Sequence, residues 1–315
     1  MELPRHGCST LKRRGQERCH ETYSTPSFWL RPALAGLNLL AQVSLRRSGG
    51  FEGREVKHVP RRRFGQNFLV DGHYLARIVA AIAPKAGEHL VEIGPGMAAL
   101  TRRLIERCGR MTAVEIDRDL VAHLRAEFPP EVLELHEADA LVFDFASLGE
   151  DLRIVGNLPY NISTPILFHL AGFAPRLRDL HLMLQKEVVL RMAAAPGTAD
   201  YGRLSVMLQA SFAVEKLFTV PPGAFRPAPK VDSMVVRLVP LAERAPHIAD
   251  PKLFATLVAA AFGQRRKTLR NTLAPWFDAV GLEALEVNPG ARGETLCVAD
   301  YVRLANAVAL KPTAL

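Results

Sequence analysis

His89-Leu90-Val91-Glu92-Ile93-Gly94-Pro95-Gly96 decides the fold. Its first five residues form an apolar run short enough for a buried strand, and the glycines stop it at once. Met97-Ala98-Ala99-Leu100-Thr101-Arg102-Arg103-Leu104-Ile105 follows with apolar residues at helical spacing. A strand, a glycine loop and a helix in this order suit a nucleotide-type ligand. The glycines let backbone come close, and the N–H groups at the helix start point at the ligand. The next strand candidate, Met111-Thr112-Ala113-Val114, ends in Glu115. That acid lies about twenty residues past the loop, where a carboxylate can accept from ribose hydroxyls.

Two further strand ends carry polar groups. Val132-Leu133-Glu134-Leu135 leads into Glu137-Ala138-Asp139-Ala140. Leu152-Arg153-Ile154-Val155-Gly156 reads as a strand closing on a glycine turn, and Asn157-Leu158-Pro159-Tyr160 comes directly after it. Open α/β sheets place ligands at such carboxyl ends. Asn and Pro also occur in plain strand-ending turns, so the tetrapeptide has a purely structural reading. Its chemical reading is methylation of an exocyclic amino group. The lone pair of that amine is delocalised into the ring, which makes it a poor nucleophile. The Asn157 side-chain amide oxygen and the Leu158 backbone carbonyl can both accept its N–H bonds. Pro159 fixes φ and helps aim the carbonyl. A pyramidal nitrogen with a localised lone pair is then favoured by preorganised dipoles. Tyr160 offers a ring on which a base can stack.

The glycine loop alone is ambiguous, because Gly94, Gly96 and Ala99 also satisfy the G-x-G-x-x-A dinucleotide fingerprint. An NAD oxidoreductase therefore competes. Hydride transfer has no use for the Asn157 tetrapeptide or for the acid-x-Gly-x-Gly form. Asp139 can accept from an adenine amino group of the cofactor. Two strand-end acids, a glycine loop and the tetrapeptide together suit S-adenosylmethionine. Its sulfonium methyl is already an electrophile, so neither a metal nor a covalent nucleophile is needed.

From about Arg61 to Leu315 the chain resembles the small-subunit (16S) ribosomal RNA adenine dimethyltransferase family. The resemblance is carried by Arg63-Phe64-Gly65-Gln66-Asn67-Phe68-Leu69, Val91-Glu92-Ile93-Gly94-Pro95-Gly96, Glu115-Ile116-Asp117-Arg118 and Asp139-Ala140. It continues through Gly156-Asn157-Leu158-Pro159-Tyr160-Asn161-Ile162-Ser163, Gln185-Lys186-Glu187-Val188 and Tyr201-Gly202-Arg203-Leu204-Ser205. Pro221-Pro222-Gly223-Ala224-Phe225-Arg226-Pro227, Pro229-Lys230-Val231-Asp232-Ser233 and Asn271 complete it. The resemblance implies a Rossmann-like class I methyltransferase sheet with a small C-terminal α-helical domain. It implies N6,N6-dimethylation of two adjacent adenosines near the 3′ end of 16S rRNA, late in small-subunit assembly. It places Asn67, Leu69, Gly94, Gly96, Glu115, Asp139 and Asn157 on S-adenosylmethionine, and Tyr160 and Phe225 on the flipped adenine. Pro221, Pro222, Pro227 and Pro229 flank Phe225 and favour a rigid, exposed loop, although a packed loop aromatic is the alternative. The large-subunit rRNA adenine methyltransferases of antibiotic resistance share this chemistry and remain a rival. Mitochondrial transcription factors built on the same fold are a non-enzymatic one.

Composition agrees. A chain of 315 residues has room for two domains. The boundaries expected are 1–57 for an N-terminal extension, 58–240 for the cofactor domain and 241–315 for a helical rRNA-binding domain. A net charge of +8 favours an anionic partner such as RNA. Arg61, Arg62 and Arg63 form one cluster. Arg265, Arg266, Lys267 and Arg270 form another, inside a helical pattern with Phe254, Leu257, Val258, Ala261 and Phe262. Each can be a solvated face; phosphate contact is the functional reading. Cys8, Cys19, Cys108 and Cys297 include no C-x-x-C pair, and the 10 histidines show no ligand-like grouping, so no metal is expected. Scattered thiols fit a reducing, cytoplasmic setting. No apolar run is long enough to span a membrane. The partner expected is 16S rRNA within the pre-30S subunit, and the protein is expected to act as a monomer. For residues 1–57 three readings stand: a disordered extension or an upstream start site, an RNA-binding tail, and a mitochondrial transit peptide whose glutamates argue against it.

Overall fold

The computed structural model describes residues 66–241 and 246–310. The expected N-terminal extension and Arg61, Arg62 and Arg63 lie outside the described residues. In chain order the first half runs β1 (Phe68–Leu69), α1 (Gly72–Ile82), β2 (Leu90–Ile93), α2 (Ala99–Cys108), β3 (Met111–Glu115), α3 (Arg118–Glu127), β4 (Leu133–Glu137) and β5 (Leu152–Asn157). It continues with α4 (Ser163–Ala171), β6 (Leu177–Gln185), α5 (Lys186–Met192), α6 (Arg203–Gln209), β7 (Phe212–Val220), β8 (Phe225–Arg226) and β9 (Ser233–Pro240). Helices α7 (Pro251–Gly263), α8 (Leu269–Thr272), α9 (Ala279–Ala284) and α10 (Val298–Ala309) follow.

Seven strands form one sheet in the order β4-β3-β2-β5-β6-β9-β7. β4 to β6 pair in parallel through β3, β2 and β5, and β9 and β7 add antiparallel. β2 is buried along its whole length, as an apolar central strand covered on both faces must be. The chain winds outward from β2 to β3 and β4, then returns to β5 on the other side of β2. The switch point therefore lies between β2 and β5, with Ile93, Glu115, Glu137 and Asn157 at the carboxyl ends around it. Helices cover both faces. One core packs α4 against β2, β5 and β6, around Phe145, Ile166 and Leu180. The other packs α1 and α2 on the opposite face, around Leu75, Leu104 and Val155.

Gly156 is not a turn residue. It continues β5, and Asn157 is the last residue of the strand. A Cβ at Gly156 would sit 2.7 Å from the Ile93 carbonyl oxygen, so the glycine is required by close approach to the neighbouring strand.

The amino ends of the same strands hold a different polar cluster. The Arg153 guanidinium donates to both Asp179 oxygens at 2.9 Å, to Glu88 at 2.6 Å and to the Ile82 carbonyl at 2.7 Å. Arg178 donates to Glu88 at 2.7 Å and also pairs with Asp151.

The C-terminal helices pack around Phe254, Leu257, Leu269 and Tyr301. This third core also takes in Ala194, Tyr201, Val206 and Ala210 from the α5–α6 region. The helical segment thus shares its core with residues on the amino side of position 240. The basic run departs from the helical pattern expected for it. Helix α7 ends at Gly263, and Arg265, Arg266 and Lys267 occupy the connection before α8.

Candidate active site

Two adjoining cavities open at the switch point, and Phe68, Gly94, Gly96 and Asn157 line both. The smaller, about 270 Å³, is walled by Glu115, Ile116, Asp139 and the Asn157–Tyr160 loop. The larger, about 720 Å³, runs under α1 past Leu69, Glu92, Met97, His181 and Arg226.

The loop after β2 has the backbone its glycines permit. Gly94 and Gly96 have φ of +68° and +58°, a region that favours glycine. Gly94 N–H donates to the Val114 carbonyl at 2.9 Å, which ties the loop to β3. A Cβ on Gly96 would lie 2.9 Å from the Phe68 ring, so Phe68 closes over the loop only because residue 96 is glycine. Among the described residues no side chain caps the start of α2.

Glu115 is buried at the end of β3. One of its oxygens accepts from Ile116 N–H at 2.9 Å and Asp117 N–H at 3.0 Å, and the other from Gly96 N–H at 3.3 Å. Each carboxylate oxygen has two acceptor sites, so capacity remains on the second for hydroxyl donors. Burial pushes its pKa up against the pull of these N–H groups, and the Asp117 charge adds to the rise. Asp139 accepts from Leu141 N–H through one oxygen at 2.9 Å, which sets the direction of its carboxylate in the cavity wall.

The tetrapeptide is braced on each side. Asn157 Nδ2 donates to the Asn67 carbonyl at 2.8 Å, which leaves Oδ1 as the acceptor of an amide that lines the cavity. Leu158 N–H donates to the Met183 carbonyl at 3.1 Å. The Pro159 carbonyl accepts from Ile162 N–H at 3.2 Å and Ser163 Oγ at 3.1 Å. Tyr160 is half-buried with its hydroxyl 2.7 Å from Ser233 Oγ. The loop therefore combines a fixed amide, backbone carbonyls and an aromatic ring within four residues. A nucleoside-bearing cofactor fits the donor set of the smaller cavity: an acid for a diol, an acid for an amino group and a glycine loop.

A model of the ribosomal RNA adenine dimethylase family matches residues 57–310. The chain belongs to this family. "Ribosomal RNA small subunit methyltransferase A" of Aromatoleum aromaticum is 60% identical over 255 residues, covering 81% of this chain and 96% of that protein. The protein of the same name from Thiobacillus denitrificans is 62% identical over 244 residues, covering 78% and 96%. Among solved structures, a dimethyladenosine transferase from Plasmodium falciparum superposes with a TM-score of 0.66 at 26% identity, covering 75% of this chain and 95% of that one. The 23S rRNA methyltransferase ErmE superposes with a TM-score of 0.59 at 28% identity, covering 77% and 100%.

Of the residues expected on cofactor, Asn67, Gly94, Gly96, Glu115, Asp139 and Asn157 meet around the smaller cavity, whereas Leu69 lines the larger one. Phe225 requires correction. It has no exposed surface and lies in the core with Leu69, Leu75 and Ile78. Its prolines do not hold it out on a loop. Residues Phe225 and Arg226 pair antiparallel with Leu69 and Phe68, and that short ladder turns the ring inward. The exposed neighbours on this segment are Arg226 and Pro227, which line the larger cavity. Arg265, Arg266, Lys267 and Arg270 are all exposed.

The sequence assigns no role to Phe68 or Ser233, and takes Glu92 only as the acid of the acid-x-Gly-x-Gly form. Glu92, the acid before the loop, is buried beside Thr101, whose hydroxyl donates to it at 2.7 Å. Burial and the nearby Glu115 charge push Glu92 up to about 7. Among the described residues no His, Cys, Asp and Glu grouping fit for a metal occurs.

Proposed function

We propose that this chain transfers methyl groups from S-adenosylmethionine to the N6 atoms of two adjacent adenosines near the 3′ end of 16S rRNA, late in small-subunit assembly. The single observation that carries the reading is the Asn157–Tyr160 loop at the end of β5, fixed by the Asn67 carbonyl and facing the same cavity as Glu115 and Asp139. The small-subunit choice over the large-subunit one rests on the relatives: identity is 54–62% to small-subunit enzymes and 28% to ErmE.

Bound S-adenosylmethionine supplies an electrophilic methyl on its sulfonium. Glu115 accepts from the ribose hydroxyls and Asp139 from the adenine amino group. Gly94 and Gly96 would let backbone approach, and the N–H groups at the start of α2 would favour the cofactor's carboxylate. Asn67 and Leu69 wall the methionine side. Asn157 Oδ1 and the Leu158 carbonyl accept the two N–H bonds of the target amine. That arrangement turns its lone pair toward the methyl and stabilises the developing positive nitrogen. Tyr160 stacks on the base that has left its helix. As the nitrogen–methyl bond formed, the sulfur–methyl bond would break and leave its electron pair on the departing thioether; the nitrogen's proton would pass to water, and a second cofactor would supply the second methyl. Arg265, Arg266, Lys267 and Arg270 contact phosphates and position the RNA without reading its sequence. The partner is 16S rRNA in the pre-30S particle, in the cytoplasm, with the protein acting as a monomer.

The test is methyl transfer from labelled S-adenosylmethionine to small subunits lacking these modifications, with large-subunit RNA in parallel and products mapped. Dimethyladenosine at adjacent positions near the small-subunit 3′ end is expected. Transfer to large-subunit RNA alone would move the protein to the resistance group. Cofactor binding without transfer to either would leave an assembly role.

A further inference from the structure

Ser233 has no exposed surface and carries one of the few buried hydroxyls near the site. It starts β9, where it is paired with Gln185 of β6 on one side and Val220 of β7 on the other. One residue earlier, the Asp232 carbonyl accepts from Lys186 N–H at 3.0 Å. Its position is thus set by backbone pairing on two sides. From there its Oγ meets the Tyr160 hydroxyl at 2.7 Å, the ordinary length of an O–H···O bond.

Tyr160 is held at its other end as well. The Pro159 carbonyl just before it is pinned by Ile162 N–H and Ser163 Oγ. A tyrosine has two side-chain torsions. The hydroxyl lies on the ring axis, so a bond there stops the ring from swinging about χ1 while leaving its tilt to packing. With the chain fixed at the backbone and the tip, the ring keeps one place relative to Asn157, three residues away.

We propose that Ser233 is a positioning residue for methyl transfer: by holding the Tyr160 hydroxyl, it fixes the platform on which the target adenine stacks in reach of Asn157. This rests on the function proposed above. The bond is one neutral hydrogen bond, so its loss is expected to cost between about twofold and tenfold.

The experiment is a double-mutant cycle of Ser233→Ala and Tyr160→Phe, read as kcat and KM on unmodified small subunits, with thermal melting of each protein. Ser233→Ala is expected to lower kcat about two- to tenfold and leave KM for S-adenosylmethionine unchanged. In the Tyr160→Phe background the same change is expected to alter kcat less than about 1.5-fold, because both substitutions remove the same bond. Ser233→Cys, nearly isosteric and a weak hydrogen-bonding group, replaces Ser233→Ala should that variant not fold. Equal losses in both backgrounds would assign Ser233 a general structural role and overturn the inference. So would full kcat in Ser233→Ala. No transfer by the unsubstituted protein would overturn the functional reading and this inference with it.

Discussion

The two ends of one sheet bury charge in opposite ways. At the amino ends of the strands, Arg153 is buried between Asp179 and Glu88, and the exposed Arg178 joins Glu88 to the exposed Asp151 at the rim. At the carboxyl ends, Glu92 and Glu115 are buried with hydroxyl and N–H partners and, among the described residues, no ion pair. Burial acts on both sets in the same direction, but the outcomes diverge. For Glu88, burial is outweighed by the Lys85 N–H and the two arginines, and its pKa falls. For Glu92 and Glu115 burial wins, and both rise. A carboxylate matched with a cation inside the protein is saturated and serves the fold. One left short of positive charge and turned to a cavity keeps its capacity for a ligand.

The largest effect is expected from Arg153→Met. Among the described residues it leaves the buried Asp179 with only the Arg237 cation, 3.8 Å away, while Glu88 keeps Arg178, and a loss of about 3 kcal/mol is expected in thermal or denaturant unfolding. Cofactor affinity of the remaining folded protein should not change. A melt close to that of the parent would remove the structural half of the contrast.

Glu92 sharpens the other half. Its folded pKa of about 7 exceeds the ordinary 4.5, so the folded state binds more protons than the unfolded state between those values. The stability tied to this group is full below about pH 4.5, declines as pH rises and is lost above about pH 7. The difference is on the order of 3 kcal/mol. Glu92→Gln should therefore gain stability relative to the parent as pH rises from 5 to 8, read as the difference between their melting profiles. Parallel profiles would show that Glu92 ionises freely in the fold.

Glu115→Gln removes the charge but keeps an acceptor oxygen and nearly the same volume. Cofactor affinity is expected to fall about ten- to a hundredfold, the value of a charge-assisted hydrogen bond. Calorimetric titration with S-adenosylmethionine measures it, and unchanged affinity would take Glu115 out of the site. The smallest effect belongs to the exposed connection before α8. Arg266→Ala with Lys267→Ala should lower the salt dependence of RNA binding by about 0.7–0.9 per lost phosphate contact. An unchanged slope would make that connection a solvated loop.

Much of the cofactor side is legible in the chain because it is local. The runs of β3 and β5 end in Glu115 and Asn157 themselves, and Asp139 lies two residues past β4. What escaped was fixed by distant partners. Phe225 looks exposed beside its prolines, but the two-residue pairing of β8 with β1 spans more than 150 residues and buries it. Gly156 looks like a turn, and only the neighbouring Ile93 carbonyl explains it. The spacing of apolar residues carries past Gly263 to Leu269, while the helix itself stops at Gly263. Ser233 and Tyr160 lie 73 positions apart, and no local pattern predicts their bond.

We propose that Asn157, at the carboxyl end of β5, faces both cofactor and target, and that activation of the target amine depends on it far more than cofactor binding does. This dependence is tested most directly by measuring methyl transfer and S-adenosylmethionine binding together in Asn157→Ala. Transfer is expected to fall at least about a hundredfold while cofactor still binds. Near-normal turnover in that variant would contradict the account.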